Sequence, residues 1–169
     1  MIANSIRTNE NTAVSTGSGV DLDELEPINR RRILVVDDEP DTITLLKHIF
    51  INDGFNVAGA YSGKEAIKKI NDINPSIIIL DLLMPEMDGK QTLEAIRKVN
   101  DIPVIVLSAV NQKEEIVSLL ERGVDDYITK PFNSDEVTAR VHAVLRRAEK
   151  PMVIDRKSTR LNSSHVSES

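Results

Sequence analysis

The chain has 169 residues, 40% of them apolar and 28% charged, with 27 acids against 21 bases and a formal net charge of −6. That length allows one domain of the usual ~100–200 residues plus tails and excludes a two-domain enzyme of ordinary size, while the apolar share is enough for a packed core. The acidic balance offers no bulk attraction to nucleic acid, the lack of cysteine excludes disulfides, thiolate zinc sites and Cys nucleophiles, and no apolar run reaches the ~20 residues of a membrane span.

Residues 1–30 are dominated by small and polar side chains, most of all Asn9–Gly19, and carry a short acidic run at Asp21–Glu26. This composition predicts a disordered tail with no positive-then-apolar signal pattern, so the cytoplasm is the default location. From residue 31 to 150 dense apolar blocks alternate with Asp, Gly and Pro. Five Ile- and Val-rich runs predict strands at Ile33–Val36, Phe55–Ala60, Ser76–Leu80, Pro103–Leu107 and Tyr127–Thr129. Their apolarity is continuous rather than alternating, which predicts a sheet covered on both faces. Between and after them, apolar residues recur at helical spacing. The first such set is Ile43, Leu46, Ile49 and Phe50; the second is Ala66, Ile67 and Ile70; the third is Leu93, Ile96 and Arg97. Ile116, Leu119 and Leu120 form the fourth, and Val137, Val141, Val144 and Leu145 the fifth. Strict alternation of strand and helix predicts an α/β fold with a doubly wound, five-stranded parallel sheet.

Ligands of such sheets bind beyond the carboxyl ends of the strands. Asp37, Asp38 and Glu39 follow the first strand, Asp81 the third, Ser108 the fourth, and Lys130 with Pro131 the fifth. Any one of these is an ordinary cap or turn residue. Together they put acids, a hydroxyl and an ammonium on one edge, where the acids repel one another unless a cation intervenes. Oxygen ligands without His or Cys favour Mg²⁺ or a similar hard cation. A lysine and a hydroxyl beside it suit phosphate oxygens, and a carboxylate that attacks phosphorus yields an acyl phosphate.

The segments ILVVDDEPD, IIILDLLMPEMDG, PVIVLSA and DDYITKPF together resemble the receiver domain of bacterial two-component response regulators (CheY-like), over residues 32–148. The resemblance implies a flavodoxin-like (βα)5 fold with strand order 2-1-3-4-5. It implies that Asp81 is the phosphoacceptor for a sensor histidine kinase, and that Asp37, Asp38, Asp81 and the backbone carbonyl of Leu83 hold Mg²⁺. Lys130 would contact the phosphoryl group through a loop with a cis bond to Pro131. Ser108 and Tyr127 would act as the switch pair, with the small Ala109 leaving room for the donor. The face that responds is made by the fourth helix, fifth strand and fifth helix.

The final helix, TARVHAVLRRAEK, is similar to the end of receivers that precede a winged-helix DNA-binding domain of the OmpR type. Such relatives dimerise through that same face, and Glu121, Asp126, Arg140 and Arg146 fall where the cross-subunit charges are expected. Ile116 stands where a lysine is expected, which would leave Glu136 without that partner. After residue 150 the chain is again polar, and Asp155–His165 matches, codon by codon, the in-frame translation of a common short-read sequencing adapter. Residues 151–169 are therefore expected to form a disordered tail, 155–165 of it artefactual. DNA would be reached only through an output domain missing here.

A phosphatase with an Asp nucleophile is the competing enzymatic reading, but Asp81-Leu82-Leu83 lacks the second acid that such enzymes carry. A degenerate, phosphate-independent receiver is the other, and the complete set of acids, hydroxyl and lysine speaks against it. The expectation is a switch, catalysing only its own phosphorylation and dephosphorylation, that regulates transcription.

Overall fold

The computed structural model describes residues 31–150. The expected tails, 1–30 and 151–169, lie outside these residues. The elements alternate as β1 (Arg32–Val36), α1 (Pro40–Asn52), β2 (Asn56–Ala60), α2 (Gly63–Ile73), β3 (Ile77–Leu80), α3 (Gly89–Arg97), β4 (Val104–Ser108), α4 (Lys113–Glu121), β5 (Asp126–Thr129) and α5 (Ser134–Glu149). All neighbouring strands pair in parallel, in the order β2-β1-β3-β4-β5 that the family resemblance implies.

Successive strand residues point to opposite faces, and each face is buried under its own helices. Leu34, Val36, Ile78, Leu80, Val104 and Val106 pack with side chains of α2, α3 and α4. Ile33, Val35, Ile77, Ile79, Ile105 and Leu107 pack on the other face with Ile43, Leu46 and Phe50 of α1 and Val137, Val141 and Val144 of α5. Fully burying each such side chain is worth about 1.5–3 kcal/mol. Two expected core positions fall elsewhere: Leu120 is exposed, and Arg97 ends α3 by donating to the carbonyls of Ile102 and Gly123.

Local chemistry sets the ends of the elements. Pro40 opens α1, where its missing N–H costs nothing. Gly54 and Gly123, at φ 89° and 88°, turn the chain out of α1 and α4 in the left-handed region that glycine adopts freely. Asp88 opens α3 with a capping box, its carboxylate accepting from Gln91 N while the Gln91 side chain accepts from Asp88 N. Among the described residues, no helix is long and apolar enough to cross a membrane.

Candidate functional site

The backbone ladders run one residue past three strands and so fix the polar edge. Asp37 N donates to Ala60 O at 3.1 Å, Asp81 N to Val36 O at 2.9 Å and Lys130 N to Ser108 O at 2.9 Å. The first residue after β1, after β3 and after β5 is thereby tied into the sheet's hydrogen bonding.

These residues meet. One carboxylate oxygen from each of Asp37, Asp38 and Asp81 lies within 4.8 Å of the others. Asp37 and Asp81 are buried, at 2% and 5% exposure, and Asp38 is half-buried. Lys130 Nζ donates to Oδ2 of Asp37 at 2.9 Å and to Oδ2 of Asp81 at 3.2 Å. The remaining oxygens are engaged locally: Asp37 Oδ1 accepts from Glu39 N and Asp81 Oδ1 from Leu83 N. Burial raises the Asp81 carboxyl above its ordinary value; the Leu83 amide and Lys130 oppose this, and the charge of Asp37 adds to it. Burial pulls the Lys130 ammonium down, but its bond to Asp37 and the charges of both acids outweigh that and leave it raised. Three converging oxygen donors with excess negative charge fit a hard divalent cation. The Lys130–Pro131 bond is cis, as expected.

Close packing sets the acceptor loop. A Cβ at Gly89 would stand 2.4 Å from the Asp81 carbonyl oxygen and 2.5 Å from Leu82 Cα, so only glycine lets α3 begin this near the end of β3. Gly89 N in turn donates to Leu82 O at 3.0 Å. Leu83 projects outward, 60% exposed.

Ser108 is fully buried at the end of β4, with Val110 N 3.5 Å from its Oγ. Tyr127 is also buried, its hydroxyl donating to the Val110 carbonyl. Burial pushes its phenol up; a hydrogen bond with Ser108 opposes this, while Glu115 and Asp81 add to it. Both residues named as a switch pair thus line one interior contact beside the acidic cluster, with the aromatic ring turned inward.

The charges expected on a dimer face divide. Arg140 holds Asp126 with both carboxylate oxygens 3.1 Å from one guanidinium nitrogen. Glu121 and Arg146 are exposed. Glu136 does not stand unpartnered for want of a lysine at Ile116: it pairs with Arg140, one turn along its own helix, at 3.1 Å. Two further charged residues near the site carry no motif. Lys90 and Glu115 pair at 2.6 Å and line a cavity of about 160 Å³ beside Leu83.

This architecture and edge chemistry define a class. The family model for the response regulator receiver domain matches residues 33–142, and the chain belongs to that family of signalling domains. It is 42% identical over 120 residues to the alkaline phosphatase synthesis transcriptional regulatory protein PhoP of Bacillus subtilis, covering 70% of this chain and 50% of that protein. It is 41% identical over 117 residues to the transcriptional regulatory protein CpxR of Escherichia coli, covering 69% and 50%. The chain spans about half the length of the curated relatives it matches. Among solved structures, a Francisella response regulator receiver domain superposes with a TM-score of 0.67 at 38% identity, covering 70% of this chain and 99% of that one. A two-component response regulator from Clostridium difficile gives 0.68 at 32%, covering 71% and 99%.

Proposed function

We propose that this chain is a phosphorylation-controlled switch whose acceptor is Asp81. The observation that carries this reading is the meeting of three carboxylates with Lys130 at the carboxyl edge of the sheet. A carboxylate oxygen of Asp81 forms a bond to phosphorus as the donor's bond to phosphorus breaks. With a kinase phosphohistidine as donor, the imidazole leaves with the electron pair of the P–N bond. The transition state is loose, so positioning and charge neutralisation do most of the work. Lys130 supplies one positive charge for the phosphoryl oxygens. Asp37, Asp38, Asp81 and the Leu83 carbonyl would hold Mg²⁺, which when bound offsets the remaining negative charge.

Ser108 then donates to a phosphoryl oxygen, and Tyr127 registers the change through their shared contact. The event reaches the face made by α4, β5 and α5. The partners on this reading are a sensor histidine kinase and, through Glu121, Asp126, Arg140 and Arg146, a second copy of the chain when phosphorylated. The similarity to PhoP and CpxR, both named as transcriptional regulators, supports transcription as the output, through a DNA-binding domain outside residues 31–150. The cytoplasm is the matching location. Residues 1–30 and 151–169 are read as tails, with 155–165 arising from the adapter sequence.

The test is incubation of the full chain with acetyl phosphate, followed by intact mass. One added phosphoryl group in the presence of Mg²⁺, and none with a chelator, is expected. No incorporation under either condition would overturn the reading.

A further inference from the structure

The helix that forms the outer side of the switch face is the most weakly seated of the five. α4 follows Gln112, whose side chain makes no cap hydrogen bond, and Leu119 is its one fully buried residue, with Ile116 half-buried against the core, where each other helix buries three or four. Val117 and Leu120 on it are 53% and 47% exposed. Two ion pairs tie it to α3 instead. Lys90 Nζ lies 2.6 Å from Glu115 Oε1, and an Arg122 guanidinium nitrogen 2.5 Å from Glu94 Oε1.

The two pairs have opposite polarity. Lys90 and Glu94 stand one turn apart on α3, while Glu115 and Arg122 stand about two turns apart at the two ends of α4. The signs define a register: sliding α4 along α3 toward Glu94 brings Glu115 against a like charge. All four side chains are partly exposed, so dissolved ions reach them.

We propose that these two pairs form a clasp that docks α4 on α3, and that the docking of α4 is therefore set by ionic strength. Charge attraction at such sites is screened as the Debye length falls from about 30 Å at 0.01 M salt to about 3 Å at 1 M. An exposed pair shifts a local equilibrium by about 1.4- to fivefold, and α4 has little buried apolar surface to hold it once both are weakened. Salt then loosens α4 independently of any event at Asp81. That the loosened surface is the output surface rests on the function proposed above; the clasp itself does not.

Backbone hydrogen exchange of the full chain tests this, read at residues 117–122 and corrected for intrinsic rates. Between about 0.01 M and 1 M NaCl, these amides should exchange about two- to twenty-fivefold faster, the product of the two pairs, while amides of α1 and α5 change little. Lys90→Glu or Glu115→Lys alone should speed exchange at low salt, and the reversed pair Lys90→Glu with Glu115→Lys should restore protection. If α4 responds to salt no more than α1, or if the reversed pair is no better protected than either single variant, there is no clasp. Phosphorylation is not part of this readout, so a negative result leaves the function of Asp81 untouched, and failure of phosphorylation leaves the clasp standing.

Discussion

The ammonium of Lys130 donates to Asp81 across 3.2 Å, joining residues 49 positions apart in the chain, and the same ammonium holds Asp37 at 2.9 Å. One cation thus neutralises part of a buried cluster of acids. Removing it by Lys130→Met leaves two carboxylates buried without their counter-ion. The expected loss is about 3 kcal/mol, the lower end for a broken buried pair because Lys130 retains some exposure. Urea unfolding in the presence of a chelator measures it, and added Mg²⁺ should recover part. A loss below about 1 kcal/mol would show that the acids do not depend on Lys130.

The same cluster makes stability depend on pH. Burial first, and then the charge of Asp37, raises the Asp81 carboxyl above its ordinary 3.8 against the opposing pull of Leu83 N and Lys130. A carboxyl with a raised folded value favours the native state most when protonated. Its contribution is fully present below the unfolded value and is lost as pH rises through the raised folded value. Asp81→Asn should therefore unfold at a higher denaturant midpoint than the parent at pH 7. The gap should close on acidification toward pH ~3.9. A parent more stable than Asp81→Asn at pH 7 would mean that Lys130 and Leu83 N more than offset burial.

Gly89 couples the fold to the site. The 2.4 Å approach of a Cβ to the Asp81 carbonyl means that Gly89→Ala must push α3 away from β3. A cost of about 1–3 kcal/mol is expected, as for overpacking generally. Phosphorylation of Asp81 should slow in the fraction that remains folded. Denaturant unfolding and incorporation rates on the same sample check both effects, and unchanged values for both would show that the loop relaxes freely.

Leu83 and Val110 flank the site through main-chain contacts to Asp81 and Ser108. Neither side chain can hydrogen-bond a water approaching phosphorus from behind, and slow self-dephosphorylation is expected. The Leu83→Asn, Val110→Glu double variant should lose phosphate faster, about tenfold if orienting the water contributes about 1.4 kcal/mol. Phosphate loss followed with Mg²⁺ present decides it. An unchanged rate would mean that these side chains do not control the lifetime.

The five strands and the acidic edge were legible because both rest on local signals, short runs of Ile and Val and the residue that follows each; the strand order is not local and came from the family resemblance. Strand ends were less legible. Phe55 reads as strand by composition, yet its N–H closes the turn after α1 by donating to Phe50 O. Asp126 reads as loop, yet it pairs with Ile105 in the ladder, its carboxylate held at the same time by Arg140. Leu120 fits the apolar period of α4 but faces solvent, because that helix turns only Leu119 fully inward, with Ile116 half-buried beside it. The pairs Lys90–Glu115 and Glu94–Arg122 have no sequence signature at all; they arise only when the topology sets α3 beside α4.

Intact mass after incubation with acetyl phosphate and Mg²⁺, run on the parent and on Asp81→Asn side by side, tests the central claim most directly. The parent should gain one phosphoryl group and Asp81→Asn none, with both proteins folded by circular dichroism. Equal incorporation in the two would place the acceptor elsewhere and contradict the account.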